Sequence, residues 1–215
     1  MKIKYCGHSS FLIQTKNADI VTDPFDTKML GIKFPSVEAS IVTVSHQHPD
    51  HNQTDAVGGE KVVFDFPGEY ERKGVRIIGY QSFHDDAKGK ERGENIIFKI
   101  IADGITIVHL GDLGHIPDDE LMENIKDADI LLIPVGGFYT IDAKTAVKIA
   151  DIIKPEILIP MHFNDPKLNQ EAFGKLLGVD EFLSLVGKKD LAPVSKLDIS
   201  VEKLPEREVV LLDRF

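Results

Sequence analysis

The sequence predicts an α/β (α+β) fold, and three observations carry that expectation. Short runs of β-branched and aromatic residues, separated by glycine-containing turns, fill the first half of the chain. Helical patterns with capping residues enter only after Pro117 and alternate with further strands. Ligand-type side chains stand just past the carboxyl ends of four strands, where α/β proteins collect a site.

The elements follow in order. Residues 2–6, 10–15 and 18–22, broken by Gly7 and by Lys16-Asn17, read as a meander. The β-branched run 39–45 ends directly at His46, and residues 61–66, 75–80, 96–101 and 105–110 continue the strand pattern. Helices are expected at 118–125 behind Pro117, at 143–153 behind an Asp142 cap, and at 170–177 ending at Gly178. Between them lie strands at 130–133 and 156–159, each bounded by a proline, and a last strand pair at 197–201 and 208–212 closes the chain. The polar run 85–94 reads as a solvated loop in preference to a substrate-contacting flap. The loop 23–35 carries Phe25, Met29, Leu30 and Phe34, which either line a pocket or pack. No repeat and no low-complexity linker divides the 215 residues, so one domain spanning 1–215 is expected.

Composition narrows the function classes. Lys plus Arg at 25 against Asp plus Glu at 35 gives a net charge of −10, which disfavours nucleic acid and anionic membranes. A phosphorylated substrate stays open, because bound cations reverse the local field. The N-terminus enters strand-like alternation without an apolar leader segment, and no stretch reaches the ~20 apolar residues of a membrane span. A cytoplasmic protein is expected. The lone Cys6 excludes an internal disulfide and reads as a small apolar strand residue.

Chemistry concentrates in His46-Gln47-His48-Pro49-Asp50-His51, which packs four potential metal ligands into six positions. Imidazole suits zinc, iron and manganese-type ions, and the carboxylate adds charge and a harder oxygen. His84, Asp112 and His162 each follow a predicted strand and converge with this cluster.

These motifs resemble those of the metallo-β-lactamase-fold hydrolases. The match is the 46–51 cluster, His84, Leu110-Gly111-Asp112 and Pro160-Met161-His162, in the family's order, and it runs from Gly7-His8-Ser9 to about Phe163. Within that superfamily the chain looks most similar to predicted zinc-dependent hydrolases resembling ascorbate-6-phosphate lactonase. That choice rests on Gly7-His8-Ser9-Ser10, Thr22-Asp23-Pro24, His109-Leu110-Gly111-Asp112 and Pro134-Val135-Gly136-Gly137. The resemblance implies a four-layer αββα sandwich. It implies that His46, His48 and His84 hold one divalent ion, that Asp50, His51 and His162 hold a second, and that Asp112 bridges them. The ions are zinc first, with manganese or iron(II) as alternatives. The implied activity is hydrolysis by a metal-bridging hydroxide of an ester-like bond (lactone, phosphoester or related) in a small metabolite. A small-molecule substrate is then the expected partner, with neither nucleic acid nor membrane, and a homo-oligomer is compatible. The alternative is a mononuclear non-haem iron oxidoreductase, similar to persulfide dioxygenases, on the same fold.

Several residues extend this reading. Asp50 sits nearest the nucleophile and is the candidate to orient it or relay its proton. Asp23 either fixes the tautomer of a ligand histidine or starts the turn before Pro24. His8, at a turn, has a structural hydrogen bond or a role in the site, and His109 reads as a satisfied core histidine. His115 is a candidate for substrate contact or leaving-group protonation. In Gly136-Gly137-Phe138-Tyr139-Thr140, Phe138 and Tyr139 are candidates for the pocket wall, the tyrosine hydroxyl serving an oxyanion. The alternative is a plain strand-to-helix turn capped by Thr140 or Asp142.

Overall fold

Alternation along the strands explains why this chain builds two facing sheets. In β1 (Lys2–Gly7), β2 (Ser10–Gln14), β3 (Asp19–Thr22) and β4 (Ile41–Thr43), the residues Ile3, Tyr5, Phe11, Ile13, Ile20 and Ile41 enter one apolar layer. The intervening Cys6, Leu12, Val21 and Val42 enter another layer on the opposite face. The second sheet repeats the arrangement: Ile130 and Leu132 of β10 (Ile130–Pro134) face the first sheet, while Leu131 and Ile133 face outward into a third layer. Period-2 burial on both faces is what a central strand covered on each side requires. Each large side chain so buried contributes roughly 1.5–3 kcal/mol.

The computed structural model describes residues 1–215. One sheet runs in the order β12-β1-β2-β3-β4-β5, with β5 at Val62–Phe64 and β12 at Leu197–Asp198. The other contains β6 (Gly68–Arg72), β7 (Val75–Phe83), β8 (Glu94–Ala102), β9 (Ile105–His109), β10, β11 (Ile157–Met161) and β13 (Glu208–Val209). Its order is β13-β11-β10-β9-β8-β7-β6. Helices α1 (Thr27–Leu30) and α4 (Gln170–Phe173) cover the first sheet, with Phe25, Leu30 and Phe173 in the shared layer. Helices α2 (Asp119–Ile125), α3 (Ala143–Ile153) and α5 (Asp180–Leu185) cover the second through Ile125, Ala146, Ile149 and Phe182. The result is a helix–sheet–sheet–helix sandwich, as the resemblance implies. No helix is long and apolar enough to cross a membrane.

Four departures from the expected elements have physical causes. The last two strands do not pair with each other: β12 lies antiparallel to β1 and β13 parallel to β11, so each covers the edge of a different sheet. The helix expected at 170–177 stops at Phe173, where Gly174 takes the C-cap, and Leu177 instead donates its N–H to Gly136 O. The loop 23–35 contains α1, a single turn capped by the Asp26 side chain at 2.7 Å and closed by Gly31 at φ 76°. Phe25, Leu30 and Phe34 pack beneath it, while Met29 faces the cleft described below. β6 and α5 carry patterns too short to stand out from their flanks.

Candidate metal centre

Four chain segments deliver the polar cluster. His46 lies beyond β4, His84 follows β7, Asp112 lies just past β9, and His162 follows β11. Asp112 Oδ2 is the meeting point, 3.0 Å from His162 Nε2, 3.2 Å from His84 Nε2, 3.3 Å from His51 Nε2 and 4.0 Å from His46 Nε2. Around it the ligand atoms form two sets. Those of His46, His48 and His84 lie within 4.8 Å of one another, and so do those of His8, Asp50, His51 and His162. His46, His51 and Asp112 link the two.

Supporting hydrogen bonds aim these groups. The buried Asp23 accepts from Ser45 N at 2.8 Å, Ser45 Oγ at 2.6 Å and His51 Nδ1 at 2.9 Å. A carboxylate only accepts, so the Ser45 hydroxyl proton goes to Asp23 and its lone pair receives His46 Nδ1–H at 3.0 Å. Both imidazoles are thereby set with Nε2 turned inward, and neither Nε2 has a hydrogen-bond partner although both are buried. Asn95 does the same for the Asp112 turn. Its Oδ1 accepts from Asp112 N at 2.9 Å, and its Nδ2 donates to Leu110 O at 2.9 Å and Ser82 Oγ at 2.7 Å. Gly111 sits there at φ 57°, and a side chain would meet Asn95 Oδ1.

Charge balance tests whether a cation fits. Asp23, Asp50 and Asp112 are all buried, and no lysine or arginine pairs with any of them. Burial pushes the Asp112 carboxyl up, but charge on His162 and His51 beside it holds it well below the usual carboxylate range. His51 is the counterpart: burial pushes it down, yet Asp112 and Asp50 raise it well above the ordinary imidazole value. His46 is held well below that value by burial and by His51. Among the clustered side chains themselves, protons on the histidines are the only positive charge. Orphaned inward nitrogens, three buried carboxylates and a mixed N/O donor set fit divalent metal.

The chain matches the family model of the beta-lactamase superfamily domain over residues 2–162. It is 32% identical to the UPF0173 metal-dependent hydrolase of Carboxydothermus hydrogenoformans, covering 76% of this chain and 85% of the relative. Identity to the corresponding protein of Thermococcus onnurineus is 31%, covering 83% and 92%. This chain belongs to the UPF0173 metal-dependent hydrolase family. A solved structure of a metallo-β-lactamase superfamily protein from Thermotoga maritima superposes with a TM-score of 0.80 at 40% identity, covering 98% and 97% of the two chains.

In this family member the ligand cluster opens into a cleft of about 440 Å³, whose walls include Met29, Glu91, Arg92, Tyr139 and Phe173. A second cavity of similar size flanks His46 and His48 on the side of Asp65, Phe66 and Gln81, and Arg92 borders both. The 85–94 segment is therefore not the free solvated loop its polarity suggests. Asp85, buried next to His84, accepts the backbone N–H groups of Ala87, Gly89, Glu91 and Arg92 at 2.8, 2.8, 3.0 and 2.8 Å. Burial raises the Asp85 carboxyl, but these four donors more than offset it and bring it down to about 2. A value depressed in the folded state stabilises the loop above the ordinary 3.8, and that contribution is lost as pH falls through about 2. Asp85→Ala is expected to speed amide exchange at these four positions by at least about tenfold at neutral pH, each hydrogen bond to a charged acceptor being worth about 1.5–3 kcal/mol. Unchanged exchange would show that the loop holds itself.

Two candidates read from the sequence are corrected by their hydrogen bonds. His115 lies outside the cleft: its Nε2 accepts Phe83 N–H at 3.3 Å and its Nδ1 donates to Ile116 O at 2.9 Å, leaving no proton for a leaving group. Tyr139 does line the cleft, but its hydroxyl donates to Ala172 O at 2.9 Å, so it forms wall and not oxyanion donor. Phe138 is 51% exposed beneath Lys175 and lines neither cavity. His109 is a satisfied core histidine, with Nε2 donating to Ser9 O at 2.8 Å and Nδ1 accepting Gly111 N–H at 3.1 Å. Cys6 is buried, which pushes its thiol up to about 12 and leaves it inert. Sequence reasoning passed over Ser45, Asn95 and Arg92. Asn95 had a signal, a polar side chain at the head of the apolar run Ile96-Ile97-Phe98.

Proposed function

We propose that this metal-dependent hydrolase works with two divalent ions, zinc first, and cleaves an ester-like bond, such as a lactone or phosphoester, in a small anionic metabolite. The observation that carries the reading is the pair of ligand sets joined at the Asp112 carboxylate. His46, His48 and His84 would hold one ion, Asp50, His51 and His162 the other, and Asp112 would span them. When bound, such ions supply a hydroxide nucleophile at neutral pH and a Lewis acid for the oxygen under attack.

The chain's own residues do the rest. Asp50 faces the cleft with its carboxylate held below the usual range by His51 and His8 despite burial, so it is ionised and able to orient the nucleophile by accepting a hydrogen bond from it. Asp23 and Ser45 keep the His51 and His46 rings in the ligand tautomer. Arg92 is the one lysine or arginine on the cleft wall, and its guanidinium suits a carboxylate or phosphate on the substrate. Phe173 and Met29 give the cleft apolar surface that would keep water from the reacting bond. An RNA substrate fits poorly with a net charge of −10. The iron oxidoreductase alternative is not favoured, since the family relatives are hydrolases by name.

Metal analysis of protein purified without chelator, with a panel of lactones, thioesters and phosphoesters, tests this. Two zinc or manganese ions per chain and chelator-sensitive hydrolysis are expected. One iron per chain with oxygen consumption would overturn it.

A further inference from the structure

His8 occupies the tight turn between β1 and β2 at φ 57°, a left-handed conformation uncommon for residues other than glycine. It is 2% exposed. Its carbonyl is gripped from two sides, by Tyr5 O–H at 2.9 Å and by the backbone N–H of His162 at 2.8 Å. The ring packs against His162, with centroids 4.2 Å apart, and against Phe173 at 5.1 Å. Its Nε2 lies 3.1 Å from Asp50 Oδ2, while Nδ1 has no partner. Since the carboxylate can only accept, Nε2 carries the proton and donates it, and the bare Nδ1 is left as an unpartnered lone pair.

One residue thus touches all three groups in the set formed by Asp50, His51 and His162, its ring lying 5.1 Å from that of His51. Its side chain holds Asp50 and its backbone holds His162. Nothing comparable ties it to His46, His48 or His84. We propose that His8 is a positioning residue for this second ion alone, orienting the Asp50 carboxylate through Nε2–H and the His162 ring through its carbonyl. The inference rests on the two-ion reading above. Supporting partners of this kind change metal affinity by about 10–100-fold when removed.

Zinc alone is the probe, titrated into metal-free protein against a chromophoric chelator. His8→Gln keeps an N–H donor near the Nε2 position, whereas His8→Met has similar length and flexibility without it. Both suffer the same strain at φ 57°, so their difference isolates the donor. His8→Met is expected to raise the dissociation constant of the second zinc about 10–100-fold and leave the first unchanged, with His8→Gln staying within a few-fold of wild type. Two zinc ions bound by His8→Met with wild-type constants would overturn the role of His8 and leave the two-ion reading standing. A single zinc in the wild type would overturn both. Independently of the variants, imidazole nitrogen NMR of the zinc-loaded wild type should show His8 protonated at Nε2; a deprotonated, zinc-bound Nε2 would make His8 a ligand and overturn the positioning role.

Discussion

Replacing Asp112 with alanine is expected to abolish measurable hydrolysis and to strip most of the bound metal. Three imidazole nitrogens lie 3.0, 3.2 and 3.3 Å from its Oδ2, and a fourth lies at 4.0 Å. No other carboxylate touches both ligand sets. Without it, two cations or several protonated histidines would face each other in a buried pocket with nothing negative between them. The loss in kcat/KM should exceed the ~10–100-fold typical of residues that only support ligands, reaching about 10³-fold or more. Asp112→Asn separates charge from shape: it keeps the volume and the backbone bond to Asn95, and is expected to lose nearly as much. Steady-state kinetics on the best panel substrate, together with metal content, read both variants. An Asp112→Ala protein that retains two ions and turns over normally would remove Asp112 from the centre.

Gly114→Ala is expected to be the most damaging single methyl addition near the site. The glycine follows the Asp112 turn and donates its N–H to Phe83 O at 2.9 Å, which presses it against the strand that delivers His84. An added Cβ would meet the carbonyl carbon and oxygen of His84 and the nitrogen of Asp85, all of them backbone. Backbone on both sides cannot swing away as a side-chain tip can, so the two segments must separate. Overpacking of this kind costs about 3 kcal/mol, out of a total stability of about 5–15 kcal/mol. For a chain of this size that corresponds to a fall in Tm of about 6–12 °C. Because the displaced segment carries His84, zinc affinity should fall as well. Gly178→Ala is the control: nothing lies within 4 Å of its added Cβ, and no change is expected. Thermal unfolding of the metal-free proteins decides the matter; equal Tm values for the two would show that the His84 segment yields easily.

Much of this molecule was legible in the order of its residues. The 46–51 cluster is local, so its ligand character needs no partner to be read. Short β-type runs marked β1, β2, β3 and the proline-bounded β10, and Asp142 announced α3, whose first turn it caps at 2.8 Å. These features depend on neighbours a few residues away, and short-range physics writes them directly into the chain. Other features depend on which surfaces meet. Residues 197–198 and 208–209 have strand character, but which edge each covers was decided by the two sheets left open at β1 and β11. His115 and Tyr139 carry the right chemistry for catalysis, and only the positions of Phe83, Ile116 and Ala172 show their hydrogen bonds already committed. Polarity alone made 85–94 a solvated loop, until the burial of Asp85 turned its amides inward and set Arg92 at the cleft. The sequence by itself determined the donor atoms and the strand ends that carry them. The tertiary structure decided which donors face one another and which polar groups are already satisfied, because both depend on distances between residues as far apart as His8 and His162.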